Sequence, residues 1–194
     1  MIDKVIDVSA DDGVIDWKAV KAWGCNGAIL KCTNALDFID AQYEANVQGS
    51  LKEGIPFGSY MVVHPWEPID EQIVAFLMVK DKRSAVSAVD WELKKSETSY
   101  RASLAVMLSL SYLREADAKT PWLYLNLDYL IHRLKYNRRV FDLCKVWYSN
   151  PSPKELNAYP ATFPPPIAHQ YTFKAKVPGI PGACDVNQLY SDHL

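Results

Sequence analysis

Residues 151–181 read PSPKELNAYPATFPPPIAHQYTFKAKVPGIP, and this stretch decides the fold because it holds eight of the chain's twelve prolines. Proline lacks a backbone N–H and clashes with the preceding turn, so helix interiors cannot run through such a segment. Strand-like runs nevertheless persist around it. Cys144–Asn150, Ile167–Thr172 and Cys184–Leu189 are β-branched or aromatic and are bounded by Gly, Pro or charge. The last third therefore reads as three strands joined by loops. Pro164-Pro165-Pro166 is taken as a loop, since the 28 residues after it are too few for a second core.

Upstream the rhythm differs. Lys4–Ser9, Gly27–Cys32, Pro56–Val63, Ala85–Glu92 and Pro121–Leu127 read as strands, and helical patterns separate them. These are Asp16–Trp23, Asp40–Glu53 stopped by Gly54, and Pro68–Asp81, which opens on a Pro suited to a first turn. Ser96–Lys119, with Ser96, Glu97 and Thr98 as its cap, and Asp128–Asn137 complete the set. Five βα units followed by three strands predict an α/β fold, a TIM-like barrel of the (β/α)5(β)3 type. A full barrel takes ~250 residues, and three missing helices account for the shorter chain. One domain is expected over residues 1–194, with no separate second domain.

Composition narrows the function. At 49% hydrophobic and 23% charged residues, the chain is neither disordered nor fibrous. Lys plus Arg (21) nearly balance Asp plus Glu (23), which argues against a protein whose main task is gripping nucleic-acid backbone. Cys25, Cys32, Cys144 and Cys184 form no Cys-x-x-Cys pair and read as buried reduced thiols. The N-terminus lacks the apolar core of a secretory signal. The uncharged stretch Ala102–Leu113 is far short of the ~20 residues a membrane span needs. A soluble chain is expected.

In such barrels the reactive groups stand at the C-terminal ends of the strands. The first strand ends Val5-Ile6-Asp7-Val8-Ser9, the fourth Val89-Asp90-Trp91-Glu92, and the eighth contains Cys184-Asp185-Val186-Asn187. Alternation puts Asp90 and Glu92 on one face and Trp91 on the other. Barrel closure sets the first strand beside the eighth, hence Asp7 beside Asp185. Four carboxyl groups then share one opening, and at least one should hold its proton near neutrality. A protonated carboxylic acid facing an ionised one is the equipment for cleaving a glycosidic bond. Carboxylates also bind magnesium or calcium, so a metal site is the competing reading. His64, His132, His169 and His193 lack ligand spacing and read as structural, with His169 the one expected nearest the mouth. Tyr60, Trp66, Tyr124, Tyr148 and Tyr171 lie near strand ends, where rings can stack on sugars. No cofactor is expected.

Val5-Ile6-Asp7-Val8-Ser9 with Gly13-Val14-Ile15-Asp16-Trp17 resembles the start of glycoside hydrolase family 25, the muramidases that cut bacterial peptidoglycan. In order follow Ala28-Ile29-Leu30-Lys31-Cys32-Thr33, Phe38 and Asp40, Gly54-Ile55-Pro56-Phe57-Gly58-Ser59-Tyr60, Asp90-Trp91-Glu92, His169-Gln170-Tyr171-Thr172 and Asp185-Val186-Asn187. The resemblance spans residues 5–190. It implies hydrolysis of the β-1,4 bond between N-acetylmuramic acid and N-acetylglucosamine. Glu92 would be the general acid, and Asp90 would orient the substrate's acetamido group or a water. Asp7 and Asp185 would be the remaining carboxylates, and Gln170 joins the substrate-binding set with the aromatics. The second step would be attack by the acetamido oxygen, favoured here, or by an activated water. Three departures bear on subsites: Asn34-Ala35 where the family often has Glu-Gly, Met61 where His follows the Tyr, and Ala10-Asp11 where His follows the opening Ser. Peptidoglycan is the expected partner and a monomer the expected state. The enzyme would be a phage lysin made in the host cytoplasm, or secreted by a non-classical route. A non-cutting glycan binder and a chitin-type glycosidase are the alternatives.

Overall fold

The computed structural model describes residues 4–92, 99–126, 138–151 and 159–190. The helix expected at Asp128–Asn137, the cap expected at Ser96–Thr98, and His132 and His193 lie outside them. The described chain runs β1 (Val5–Val8), α1 (Trp17–Ala22), β2 (Gly27–Asn34), β3 (Phe38–Ile39), α2 (Tyr43–Lys52), β4 (Phe57–Val62), α3 (Ile69–Val79), β5 (Ser87–Asp90), α4 (Ser99–Asp117), β6 (Trp122–Asn126), β7 (Lys145–Ser149), β8 (Ala168–Ala175) and β9 (Cys184–Leu189). Short 3-10 turns at Ala10–Asp12 and Arg138–Asp142 complete it.

Eight strands close into a barrel in the order β1-β2-β4-β5-β6-β7-β8-β9, with β3 appended to β2 as a hairpin that the sequence reading lacked. Neighbours from β1 through β8 run parallel, whereas β9 is antiparallel to both β8 and β1. The reversal follows from β8–β9 being joined by a loop, since a parallel return needs a long crossover. It also moves the mouth of the barrel to the start of β9.

Alternation along each strand sorts two cores. Val5, Ile29, Tyr60, Ala88, Trp122, Tyr124, Trp147 and Ala168 fill the barrel interior. Ile6, Leu30, Phe57, Met61, Val89 and Trp91 point the other way and pack under the helices with Val20, Val47, Phe76, Val106 and Leu110. Asp16 caps α1, its Oδ1 accepting from Lys18 N and Ala19 N at 3.1 Å each. Gly54, at φ 64°, follows α2 as the expected stop. Asp40, expected to open that helix, instead clamps two loops: its carboxylate accepts from Ala10 N at 2.9 Å and Gln42 N at 3.0 Å.

Gly49 of α2 sits directly on Trp17, and a Cβ added there would lie 2.0 Å from the indole Cδ1. Gly49→Ala should therefore destabilise the fold by about 1–3 kcal/mol through overpacking, although Ala is the better helix former. Urea unfolding measures it, and an unchanged or raised midpoint would refute the contact's importance.

Candidate active site

At the barrel mouth a cavity of about 320 Å³ is lined by Asp7, Asp90, Glu92 and Asp185, together with Tyr60, Tyr124 and Gln170. Each arrives by strand parity. Asp7 follows inward-facing Val5, and Asp90 follows inward Ala88 with Glu92 two residues beyond. Asp185 comes from the start of antiparallel β9, where its backbone pairs with that of Asp7.

Amide donors organise the Asp7 and Asp185 carboxyls. Gln170 Nε2 donates to Asp7 Oδ1 and Oδ2, each at 3.0 Å, and to Asp185 Oδ2 at 3.1 Å. Tyr124 Oη donates to Gln170 Oε1 at 2.7 Å, which fixes the amide with its nitrogen toward the acids. Asn187 Nδ2 donates to Asp7 Oδ2 at 2.6 Å, while Trp147 Nε1 donates to Asn187 Oδ1 at 2.7 Å. Gln170 thus positions the carboxyl pair from beneath.

The other pair is freer. Asp90 Oδ1 is buried and takes no hydrogen bond from any described residue. Glu92 stands exposed at the rim of the same cavity.

The four charges cannot all be held ionised in so small a space. Burial, then the nearby Asp185 charge, raises Asp7 to about 7, against the lowering effect of the Asn187 and Gln170 hydrogen bonds. Burial, with Asp12 and Glu92 behind it, raises Asp185 to about 6. Burial and the Glu92 and Asp7 charges push Asp90 upward, and burial raises Glu92 while Lys31 opposes. A cavity that keeps some carboxyl groups protonated beside ionised ones can both donate a proton and stabilise positive charge.

Several sequence-derived candidates lie elsewhere. Tyr148 and Tyr171 are on the outer face, because Trp147 and Gln170, their neighbours in the chain, take the inward positions. Tyr148 is buried and stacked on His169 with ring centroids 4.4 Å apart. His169 is therefore also outside the mouth; its Nε2 meets Asn150 O at 2.9 Å, and burial lowers its pKa. Trp66 is 45% exposed beneath the Arg101 guanidinium, 5.1 Å from its ring centroid, and does not line the cavity.

In their place the cavity takes Trp147, Lys31, Asn34 and His64. Trp147 was findable by parity, since it pairs in register with Tyr124. Asn34 was not: a register shift between Lys31 and Thr33 turns it toward the cavity against simple alternation, and His64 Nε2 meets its Oδ1 at 2.9 Å. Asp11 reaches the rim on a 3-10 turn whose cap is reciprocal. Ser9 Oγ accepts from Asp11 N at 3.2 Å, and Ser9 N donates to Asp12 Oδ2 at 2.8 Å. All four cysteines are buried and unpaired, as expected.

The arrangement has counterparts among known proteins. The model of glycosyl hydrolases family 25 matches residues 6–180. The chain belongs to this family. An autolytic lysozyme of Clostridium acetobutylicum is 22% identical over 201 residues, covering 96% of this chain and 55% of that protein. This family member thus spans about half the length of that curated relative. The bacterial lysozyme of Streptomyces coelicolor superposes with a TM-score of 0.85 at 20% identity, covering 97% of this chain and 92% of the other. The family 25 lysozyme of Aspergillus fumigatus gives 0.86 at 16%, with 98% and 95% covered. At such identities the superpositions establish the barrel, and the resemblance read from the sequence motifs is carried by the family match.

Proposed function

We propose that this family 25 chain is a muramidase that hydrolyses the β-1,4 bond between N-acetylmuramic acid and N-acetylglucosamine in peptidoglycan. The observation that supports it most is the convergence of Asp7, Asp90, Glu92 and Asp185 on one cavity with their protons held at raised pH. Glu92, at the rim, protonates the leaving glycosidic oxygen. Asp90, which lines the cavity, orients the acetamido group of the substrate or a water with its carboxyl. Asp7 and Asp185, tied together by Gln170, set the negative field that stabilises the oxocarbenium-like transition state. Tyr60, Tyr124 and Trp147 form the apolar wall against which a sugar face rests.

Digestion of purified peptidoglycan and of chitin oligomers, with analysis of new reducing ends, tests the proposal. Muramic-acid ends support it, glucosamine ends would make the chain a chitin-type glycosidase, and no product would leave a glycan-binding barrel. EDTA should leave the rate unchanged, because N–H donors already occupy both Asp7 oxygens and Asp185 Oδ2, and such donors repel a cation. A rate lost to EDTA and restored by a divalent ion would favour the coordination reading of these acids. Lys31→Met should move the alkaline limb of the pH–rate profile upward, since the Lys31 charge lowers the pKa of Glu92 and a general acid must be protonated to act. A limb that stays in place would remove Lys31 from the electrostatics of the site.

A further inference from the structure

On the outer wall, sharing no residue with the carboxyl cavity, α3 and α4 leave an apolar face uncovered. On α4 the residues Ala102, Val106, Leu110 and Leu113 are buried against the fold. A second stripe at four-residue spacing, Tyr100, Leu104, Leu108 and Tyr112, is 81, 45, 38 and 42% exposed. From α3, Val74 and Met78 extend it, at 55 and 82% exposure. A contiguous stripe of this kind marks an interaction surface more than scattered single residues do. Between the helices runs a groove of about 330 Å³, with Ile73, Val74, Leu77 and Tyr112 on its apolar floor and Asp70 and Glu115 on its rim.

The sequence of α4 is self-complementary about Leu108. Leu104 and Tyr112 lie four residues to either side, Arg101 and Glu115 seven, and Tyr100 and Ala116 eight. If two copies of α4 pack antiparallel about a two-fold axis at Leu108, Leu104 of each faces Tyr112 of the other. Arg101 then meets Glu115 twice, once on each side of the axis. Tyr100, the most exposed ring of the stripe, reaches the other copy's Ala116, which lines the groove. The acidic rim of that groove receives the Arg101 that accompanies Tyr100. A two-fold interface requires this property, that one patch complement itself in shape and charge.

We propose that the α3–α4 face is a homodimer interface in which antiparallel α4 helices cross at Leu108 and exchange Arg101–Glu115 pairs. The dimer departs from the monomer expected from the sequence, and it stands whether or not the chain cuts peptidoglycan.

Sedimentation equilibrium over a micromolar to sub-millimolar series should show mass rising from 21.9 kDa toward twice that value. Arg101→Glu and Glu115→Arg should each weaken self-association by at least about tenfold, since each sets like charges opposite one another at two places. An equimolar mixture of these two variants should dimerise as the native chain does, because both contacts of the mixed pair are then of opposite sign. Leu108→Asp, at the axis, should be monomeric. All three side chains are exposed, with Arg101 lying over the Trp66 ring, so a cooperative thermal unfolding transition in each variant serves as the folding control. A native chain that stays monomeric throughout would overturn the proposal. So would variants that associate like the native chain, or a mixture of the charge reversals that stays monomeric.

Discussion

Glu92→Gln is expected to slow peptidoglycan cleavage by at least ~10²-fold, the usual cost of losing a general acid. The substitution keeps the shape of the side chain but replaces the ionisable carboxyl by an amide that cannot give up a proton. Glu92 sits at the rim, and partial burial raises its pKa against the lowering effect of Lys31, so a neutral amide there should leave folding intact. The pH dependence gives a second readout. Activity that needs protonated Glu92 falls as pH rises through its pKa, and the residual activity of the variant should lack that alkaline limb. A variant with near-native turnover and a native profile would transfer the acid's role to Asp90, the other carboxyl on the same strand face. Circular dichroism melts on the same preparations separate lost chemistry from lost structure.

Asp7→Asn should remove a loss of stability that grows with pH while abolishing the carboxylate pair, at a fixed cost at every pH because its new NH2 must face a Gln170 or Asn187 donor. The folded pKa of Asp7, about 7, stands above its ordinary value of 3.8, so the native state binds the proton more tightly than the unfolded chain. By linkage its contribution is fully present below pH 3.8 and is lost as pH rises through about 7. At 1.36 kcal/mol per unit, the difference reaches a few kcal/mol at pH 8. Asp185, raised to about 6, adds a loss of the same sign over a lower window. Other groups also titrate, so the test is the difference between native and variant denaturation midpoints across pH 4 to 8. That difference should open in favour of the variant as pH rises, and curves that stay parallel would show that Asp7 is ionised without cost. The expected accompaniment is a large fall in cleavage rate, the mark of a site whose strain is kept for function.

How much of this was legible beforehand varies with the kind of signal. Every strand expected within the described residues is present, because period-two alternation and flanking Gly or Pro are local properties that tertiary packing reinforces. Asp90 and Glu92 were readable as a same-face pair for the same reason. The two-residue strand Phe38–Ile39 was not, since it exists only by pairing with Thr33 and Asn34. Helix starts shifted where a polar side chain had another use, as with Asp40, which clamps two loops. The aromatics were the weakest part of the reading. Proximity to a strand end says nothing about which side of the wall a ring occupies, and Tyr148 and Tyr171 fell on the outer one while Trp147 took the mouth.

The residue order alone determined the alternation of strands and helices seen in the described residues, the three closing strands and the strand ends on which the acids stand, because these depend on neighbours a few positions apart. Folding in three dimensions decided what those acids are. The reversal of β9 brought Asp185 into register with Asp7, and closure of the barrel desolvated both. Gln170, 163 residues from Asp7 in the chain, then bound the two together, and the proton affinity of each came from that shared enclosure. Charge interaction and desolvation depend on distance through space, which a linear order of residues does not contain.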